Sequence, residues 1–322
     1  MTDAQIGYTL SSEEHPPNDL VRNAVRAEAV GFDFASVSDH FHPWTSTQGN
    51  SPFVWSVLGA LAHATDDLDV GVGVTCPTIR MHPAIHAHAV ATVAAMFEGR
   101  FTFGVGTGEN LNEHVLGDRW PEHDVRLELL EEAMEVMDAL WEGGNTSHRG
   151  EHYTVENARL YTLPEEKPPV VVSAFGPQTA RMAAESGDGL WTVGVKEDVL
   201  EAYENAGGEG PTYAQLDVCY AETEEEAVET VLEHWPNTAL PGELSQELPT
   251  PAHFEQAAQM VEYEDIAEGA TVTSPEPEAH LESIHEAIDA GFDHVYVHQI
   301  GPDQASFFEF YEESVLPELE SV

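Results

Sequence analysis

The chain has 322 residues, with 59 acidic and 11 basic side chains and a formal charge of −48. That balance speaks against a nucleic-acid partner, which needs cations to displace phosphate counterions, and against an anionic membrane surface. At 42% hydrophobic the chain can still bury a large core, so the charge does not signal disorder.

Short apolar strands alternate with amphipathic helices. Residues 6–11 read as a strand. Residues 18–30 read as a helix with Leu20, Val21, Ala24, Val25 and Ala27 on one face, stopped by Gly31. A strand over 32–37, a helix over 53–64, a Val- and Gly-rich strand over 68–75, an Ala-rich helix over 83–97 and a strand over 101–105 follow. A long helix over 125–141 buries Leu129, Ala133, Val136, Met137 and Leu140 and turns Glu128, Glu131, Glu132 and Glu135 outward. Strands over 170–174, 190–193, 216–220 and 294–300, with helices between them, lead to a closing helix over 306–319. The acidic run 222–226 reads as the solvated start of a helix. Strands joined by helices imply right-handed crossovers and a parallel sheet. About eight such units predict an α/β fold, a (β/α)8 TIM barrel in one domain over 1–322, ahead of an open doubly wound sheet. Stretches 145–169 and 236–270 read as irregular insertions.

No run of about 18 apolar residues is present, so no spanning helix is expected. Residues 1–5 lack a basic and apolar leader, and Cys76 and Cys219 cannot form a disulfide framework, so a cytoplasmic protein is expected. Nine of the eleven cations are Arg, and none follows Lys196. Self-repulsion at this charge destabilises a fold in dilute buffer, and molar salt screens it over about 3 Å. A salt-rich, haloarchaeal-type cytoplasm is the expectation.

In a barrel, chemistry gathers where strands end at the C-terminal face. Strand two ends in Ser38-Asp39-His40-Phe41-His42-Pro43-Trp44, strand three in Val74-Thr75-Cys76-Pro77 and strand four in Gly106-Thr107-Gly108-Glu109-Asn110. The next two end in Ser173-Ala174-Phe175-Gly176-Pro177-Gln178 and Thr192-Val193-Gly194. A neutral imidazole at His40 is a natural general base, or a surface or packing residue. Glu109 can serve as an acid at a partly apolar mouth or be a solvated loop carboxylate. Trp44 can stack on a ring system or cap the core. The glycines of 104–108 allow close approach to a flat ligand. Gly176-Pro177-Gln178 opens a helix whose free amides can hold an anion, or is a plain β–α turn. Gly104-x-Gly106-x-Gly108 lacks dinucleotide spacing, and His82, His86 and His88 lack the further ligands of a zinc site, so no metal is predicted.

These segments carry a resemblance. Residues 38–44, 51–55 and 106–114, with 173–177 and 298–303, resemble the coenzyme F420-dependent branch of the bacterial luciferase-like superfamily. Within it the chain is most similar to the F420-dependent glucose-6-phosphate dehydrogenase family, nearly end to end. The resemblance implies a barrel with insertions, a homodimer, a bound deazaflavin and a non-proline cis peptide in the strand-three bulge. It implies that Asp39, Val74 and Thr75 hold the deazaflavin ring, that Thr107, Gly108 and Asn112 line it, and that Ser173, Gly176, Pro177 and Gln178 hold its phosphate. It implies His40 as the base, Glu109 as the acid near N1 and Trp44 beside the reacting centre. One departure bears on substrate. The family's sugar-phosphate enzymes grip phosphate with basic side chains of the C-terminal half, and here only Lys196, near Thr192, could serve. A neutral alcohol, aldehyde, ketone or sugar is therefore expected rather than glucose 6-phosphate. The alternatives are an FMN-dependent monooxygenase of the same superfamily and a non-catalytic barrel that binds deazaflavin or sugar.

Overall fold

The computed structural model describes residues 4–319; the first three of residues 1–5 lie outside them. β1 (Gln5–Leu10), α1 (Pro17–Val30), β2 (Phe34–Val37), α2 (Val54–Ala64), β3 (Asp69–Thr75), α3 (Pro83–Phe97) and β4 (Phe101–Val105) alternate as the periodicity predicts. The short α4 (Asn110–Glu113) and long α5 (His123–Trp141) lead to a hairpin, β5 (Thr146–Arg149) and β6 (Thr154–Ala158). Then come β7 (Val170–Ser173), α6 (Pro177–Ser186), β8 (Gly189–Val193), α7 (Glu197–Asn205), β9 (Thr212–Val218) and α8 (Glu224–His234). Three short helices follow, α9 (Leu244–Glu247), α10 (Pro251–Ala258) and α11 (Tyr263–Ala267). The chain closes with α12 (Pro277–Asp289), β10 (His294–Gln299), α13 (Gln304–Phe310), a π turn and α14 (Leu316–Leu319).

β1, β2, β3, β4, β7, β8, β9 and β10 pair in parallel and close into an eight-stranded barrel, β10 returning to β1. Alternate residues of each strand face inward. Among them Trp191 stacks on Tyr213 with ring centroids 4.4 Å apart, and its indole N–H donates to the Tyr296 hydroxyl. Phe34 meets Tyr213 edge-on beneath. A Cβ on Gly73 or Gly104 would strike the Trp191 indole or its neighbours, and one on Gly71 would press on it. The glycines of β3 and β4 thus make room for an indole plug, so the floor of the barrel is filled and the C-terminal mouth alone is left for a ligand. Truncating Trp191 to Ala would cost about 3–5 kcal/mol.

Both insertions hold regular structure, contrary to the irregular reading. The hairpin escaped notice because its strands are largely exposed on both sides and carry no apolar alternation. It is pinned by Glu132 of α5, which accepts the backbone N–H groups of Glu151, His152 and Tyr153 at 2.8–3.0 Å. Glu132 is therefore an anchor and not merely an outward carboxylate. β9 begins at Thr212, four residues before the expected strand, because its first half is polar.

Candidate active site

The turn after β1 brings two consecutive carboxylates to the mouth. Glu13 and Glu14 are both almost fully buried, with side chains 3% exposed. They diverge. Glu13 turns toward β2, where its carboxylate accepts the Ser38 hydroxyl at 2.5 Å and lies 3.3 Å from His40 Nε2. Glu14 turns toward β10, where it meets His298 Nε2 at 3.0 Å and the Gly301 N–H at 2.8 Å. The other nitrogen of His40 lies 3.2 Å from the His42 carbonyl oxygen. A carbonyl can only accept, so Nδ1 carries a proton, and Nε2, facing Glu13, is the nitrogen that can gain or lose one. A ring that gains a proton there has an acceptor at each nitrogen. Trp44 packs against this imidazole at 4.9 Å and on its far side meets Phe254 of α10 at 5.1 Å.

Beside His40, the Asp39 carboxylate is buried. It accepts the Thr75 hydroxyl at 2.8 Å and pairs with the Arg80 guanidinium at 3.0 Å. Arg80 also reaches Glu113 of α4, by its backbone N–H at 2.8 Å and by Nε at 3.4 Å. Burial pushes the Glu113 carboxyl up to about 7, Arg80 pulling the other way. Burial wins because the Nε contact is long. For Arg80 the opposite holds: burial would lower its pKa, but Asp39 and Glu113 together raise it. Val74 and Thr75 lie at a bulge where the β3–β4 register shifts, and the Gly73–Val74 peptide is cis. Gly108 sits at φ +78°, where its missing Cβ leaves room for Cys76 and Glu113.

Glu109 caps α4 and is half-buried; its carboxylate accepts the Asn112 amide N–H at 3.3 Å. The oxygen of that amide accepts the backbone N–H groups of Phe41 at 2.9 Å and His42 at 3.2 Å. Asn112 therefore ties the β4 loop to the β2 loop and is buried; its polar atoms serve the protein. The loops that carry the two predicted acid–base groups, His40 and Glu109, meet at the same mouth and are joined through this one amide. Thr107 lies half-buried on that loop.

Across the mouth the character changes. Ser173 ends β7, and its hydroxyl has no partner among the described residues. α6 opens with Pro177 after Gly176, no side chain caps it, and Gln178 is exposed with its amide donating to Asp124. Gly176 has an ordinary extended φ of −154°, and a Cβ there would meet no protein atom within 4 Å. Neither conformation nor packing demands glycine. Phe175 and Val193 expose apolar side chains nearby. Thr192 is fully buried, its hydroxyl facing the Gly194 and Tyr213 carbonyl oxygens, so it is structural. Lys196 is exposed ahead of α7.

A family model described as luciferase-like monooxygenase matches residues 1–294. The chain belongs to the luciferase-like family. Among its relatives are F420-dependent glucose-6-phosphate dehydrogenases of Microbacterium testaceum and Rhodococcus jostii. The first is 34% identical, covering 98% of this chain and 97% of its own, and the second is 35% identical, covering 99% and 98%. A solved F420-dependent secondary alcohol dehydrogenase in complex with an F420–acetone adduct superposes with a TM-score of 0.90 at 30% identity, covering 97% of this chain and 98% of that one.

Within this luciferase-like barrel the sequence reading missed Glu13, Arg80 and Glu113. In a chain with 59 acids, one more Glu carries no signal. Arg80 did carry one, being among the rare cations and just past a strand. The histidines at α3 stand apart in role: His82 caps the helix through Nδ1, His86 is buried against Trp55, and His88 is exposed. No helix among the described residues is long and apolar enough to cross a membrane.

Proposed function

We propose that this luciferase-like barrel is an F420-dependent oxidoreductase that moves a hydride between a neutral carbinol or carbonyl carbon and C5 of the deazaflavin. The observation that carries it is the mouth itself, with a paired imidazole on one side and an uncapped helix start on the other. Gly176 is the fit test for the cofactor. Its open Cβ position, the free amides of α6 and the unpartnered Ser173 hydroxyl suit a phosphate, while Val74, Phe175 and Val193 suit a flat ring. The relatives named F420-dependent match this chain end to end. Bound there, a deazaflavin takes up or releases a hydride.

The residues divide the remaining work. His40 Nε2 takes the substrate hydroxyl proton, and Glu13 beside it compensates the charge that results. Glu109, oriented by the Asn112 amide, would serve as the acid toward the bound ring. Asp39 and Thr75 position the ring edge, with Arg80 fixing Asp39. Thr107 and Gly108 line the ring, and Trp44 excludes water from the reacting centre, backed by Phe254.

The substrate is uncharged. Arg80 is consumed by Asp39 and Glu113, and Lys196 is exposed, so a phosphate dianion would lack a counter-charge beside Glu13 and Glu109. The deciding experiment is titration of the purified protein, in multimolar KCl, with F420 and with FMN. Deazaflavin absorbance then follows turnover of secondary alcohols, glucose and glucose 6-phosphate. Tighter FMN binding with oxygen consumption overturns the reading, and a preference for glucose 6-phosphate overturns the substrate class.

Two wider properties belong to the same proposal. Residues 40–65 and 70–97 contain no Asp or Glu. They carry α2 and α3, with Phe53 just ahead of α2 and Ile85 and Met96 of α3 exposed. A two-fold interface sets a patch against itself, so in a chain of −48 it must avoid carboxylates, and this face suits a homodimer. Light scattering that finds a monomer refutes that. The charge also makes stability rise with KCl; equal melting temperatures at low and multimolar KCl refute a salt-adapted fold.

A further inference from the structure

We infer that His298 is a positioning residue for the Glu13–His40 pair, acting through Glu14; the inference rests on His40 being the base. Strand alternation places His298 on the same inward face of β10 as Tyr296, one layer nearer the mouth. The side chain is almost wholly buried, yet each ring nitrogen faces a carboxylate. Nε2 lies 3.0 Å from Glu14 and Nδ1 3.1 Å from Asp217 of β9. Two N–H donors require an imidazolium. The Trp235 indole packs on the ring at 4.5 Å. Glu14 gives its second oxygen to the Gly301 N–H, and Asp217 also accepts the Gln215 amide. The cation therefore fastens the β1 turn to β9 and β10. Glu13 is the adjoining residue of that turn, and its carboxylate meets Ser11, Ser38 and His40.

The other titratable groups here contribute little charge. His15 neighbours both Glu14 and His298, and burial lowers its pKa; His234 lies beyond it. Tyr8 and Cys219 lie near Glu14, and Tyr296 near Asp217, all three raised by burial and so neutral near pH 7. Around the clamp the charges are thus Glu13, Glu14 and Asp217 against one imidazolium. Burial alone would push the His298 ring down, but the hydrogen bonds and charges of Asp217 and Glu14 raise it to about 10. In a chain without Lys or Arg after Lys196, this histidine takes the place of a basic residue in the C-terminal half. Without it, the buried Glu14 carboxylate and the half-buried Asp217 carboxylate face each other beneath the turn, and the field at His40 becomes more negative.

The test is a histidine-ring NMR titration of the full chain with F420 in multimolar KCl, with His40→Ala assigning the His40 resonance. His298→Gln removes the cation and moves the His40 midpoint up by about half a unit to one unit. Glu14→Gln keeps the shape, removes an anion and moves it down. Opposed movements support the inference, because mere loosening of the fold would not reverse sign between the two. Midpoints that stay put, or move together, overturn it. If His298→Gln fails to fold, Glu14→Gln decides alone, a downward movement supporting the inference and any other result overturning it. The turnover of His40→Ala is read separately. Retained turnover with opposed midpoints removes the base role of His40 and leaves the electrostatic coupling standing.

Discussion

At the ends of β1, β2 and β10 the mouth is crowded with buried charge that already has partners: Glu13 with His40 and Ser38, Glu14 with His298, Asp39 with Arg80. At the ends of β7 and β8 the same mouth offers backbone amides, a free hydroxyl and exposed apolar side chains. The first half is organised before anything binds, as proton transfer requires, since charge must be stabilised without reorganisation. The second half has no such internal pairing among the described residues and is in that sense unfinished. On the proposed function, a strongly acidic protein would meet an anionic cofactor there with peptide dipoles rather than with cations.

Breaking the organised half gives the largest effect. His40→Ala lowers kcat by about 10²–10⁴-fold and leaves the F420 dissociation constant nearly unchanged, as steady-state kinetics and a fluorescence titration would read. A comparable loss in both quantities would mean that the two halves do not divide the labour.

Next comes a pH effect on stability. The Glu113 carboxyl is raised in the fold from 4.5 to about 7, so the folded state binds the extra proton between those values. Its contribution therefore favours folding below about 4.5 and is lost as pH rises through 7. Glu113→Gln removes that slope and stabilises the protein at pH 8 by up to roughly 3 kcal/mol relative to pH 4.5. Melting temperatures across that range check it; a variant whose curve parallels the parent would assign the slope elsewhere.

The unfinished half is probed by Gly176→Ala. Nothing in the protein opposes the new methyl, so the melting temperature stays put while F420 binding weakens about tenfold, roughly 1.4 kcal/mol. Unchanged affinity would show that the phosphate lies elsewhere. The smallest effect is at Lys196→Ala, where kcat/KM on a neutral alcohol stays within about twofold, because the side chain is exposed and unpaired among the described residues.

The same contrast explains what was legible in the sequence. Barrel strands read clearly where burial on both faces enforces apolar runs, as in Val170 to Val172, and less clearly where the interior is polar, as at Gln215 and Asp217. Asp39, His40 and Glu109 stood out because they follow strands directly. Ser173, Gly176 and Pro177 stood out because a turn into a helix is local. The partners of the organised half did not. Glu14 and His298 are 284 positions apart, and only closure of the barrel between β10 and β1 brings them together. Gly104 reads from the sequence as room for a ligand, yet together with Gly71 and Gly73 it serves a tryptophan more than eighty residues away in sequence.

Asn112 carries one more consequence. Because its side chain accepts from Phe41 and His42 and donates to Glu109, two loops from different strands behave as one mechanical body. Their amides should open to solvent in a single cooperative event rather than loop by loop. Hydrogen exchange at Phe41 and His42 would then slow whenever a ligand orders the Glu109 loop, even a ligand that touches neither.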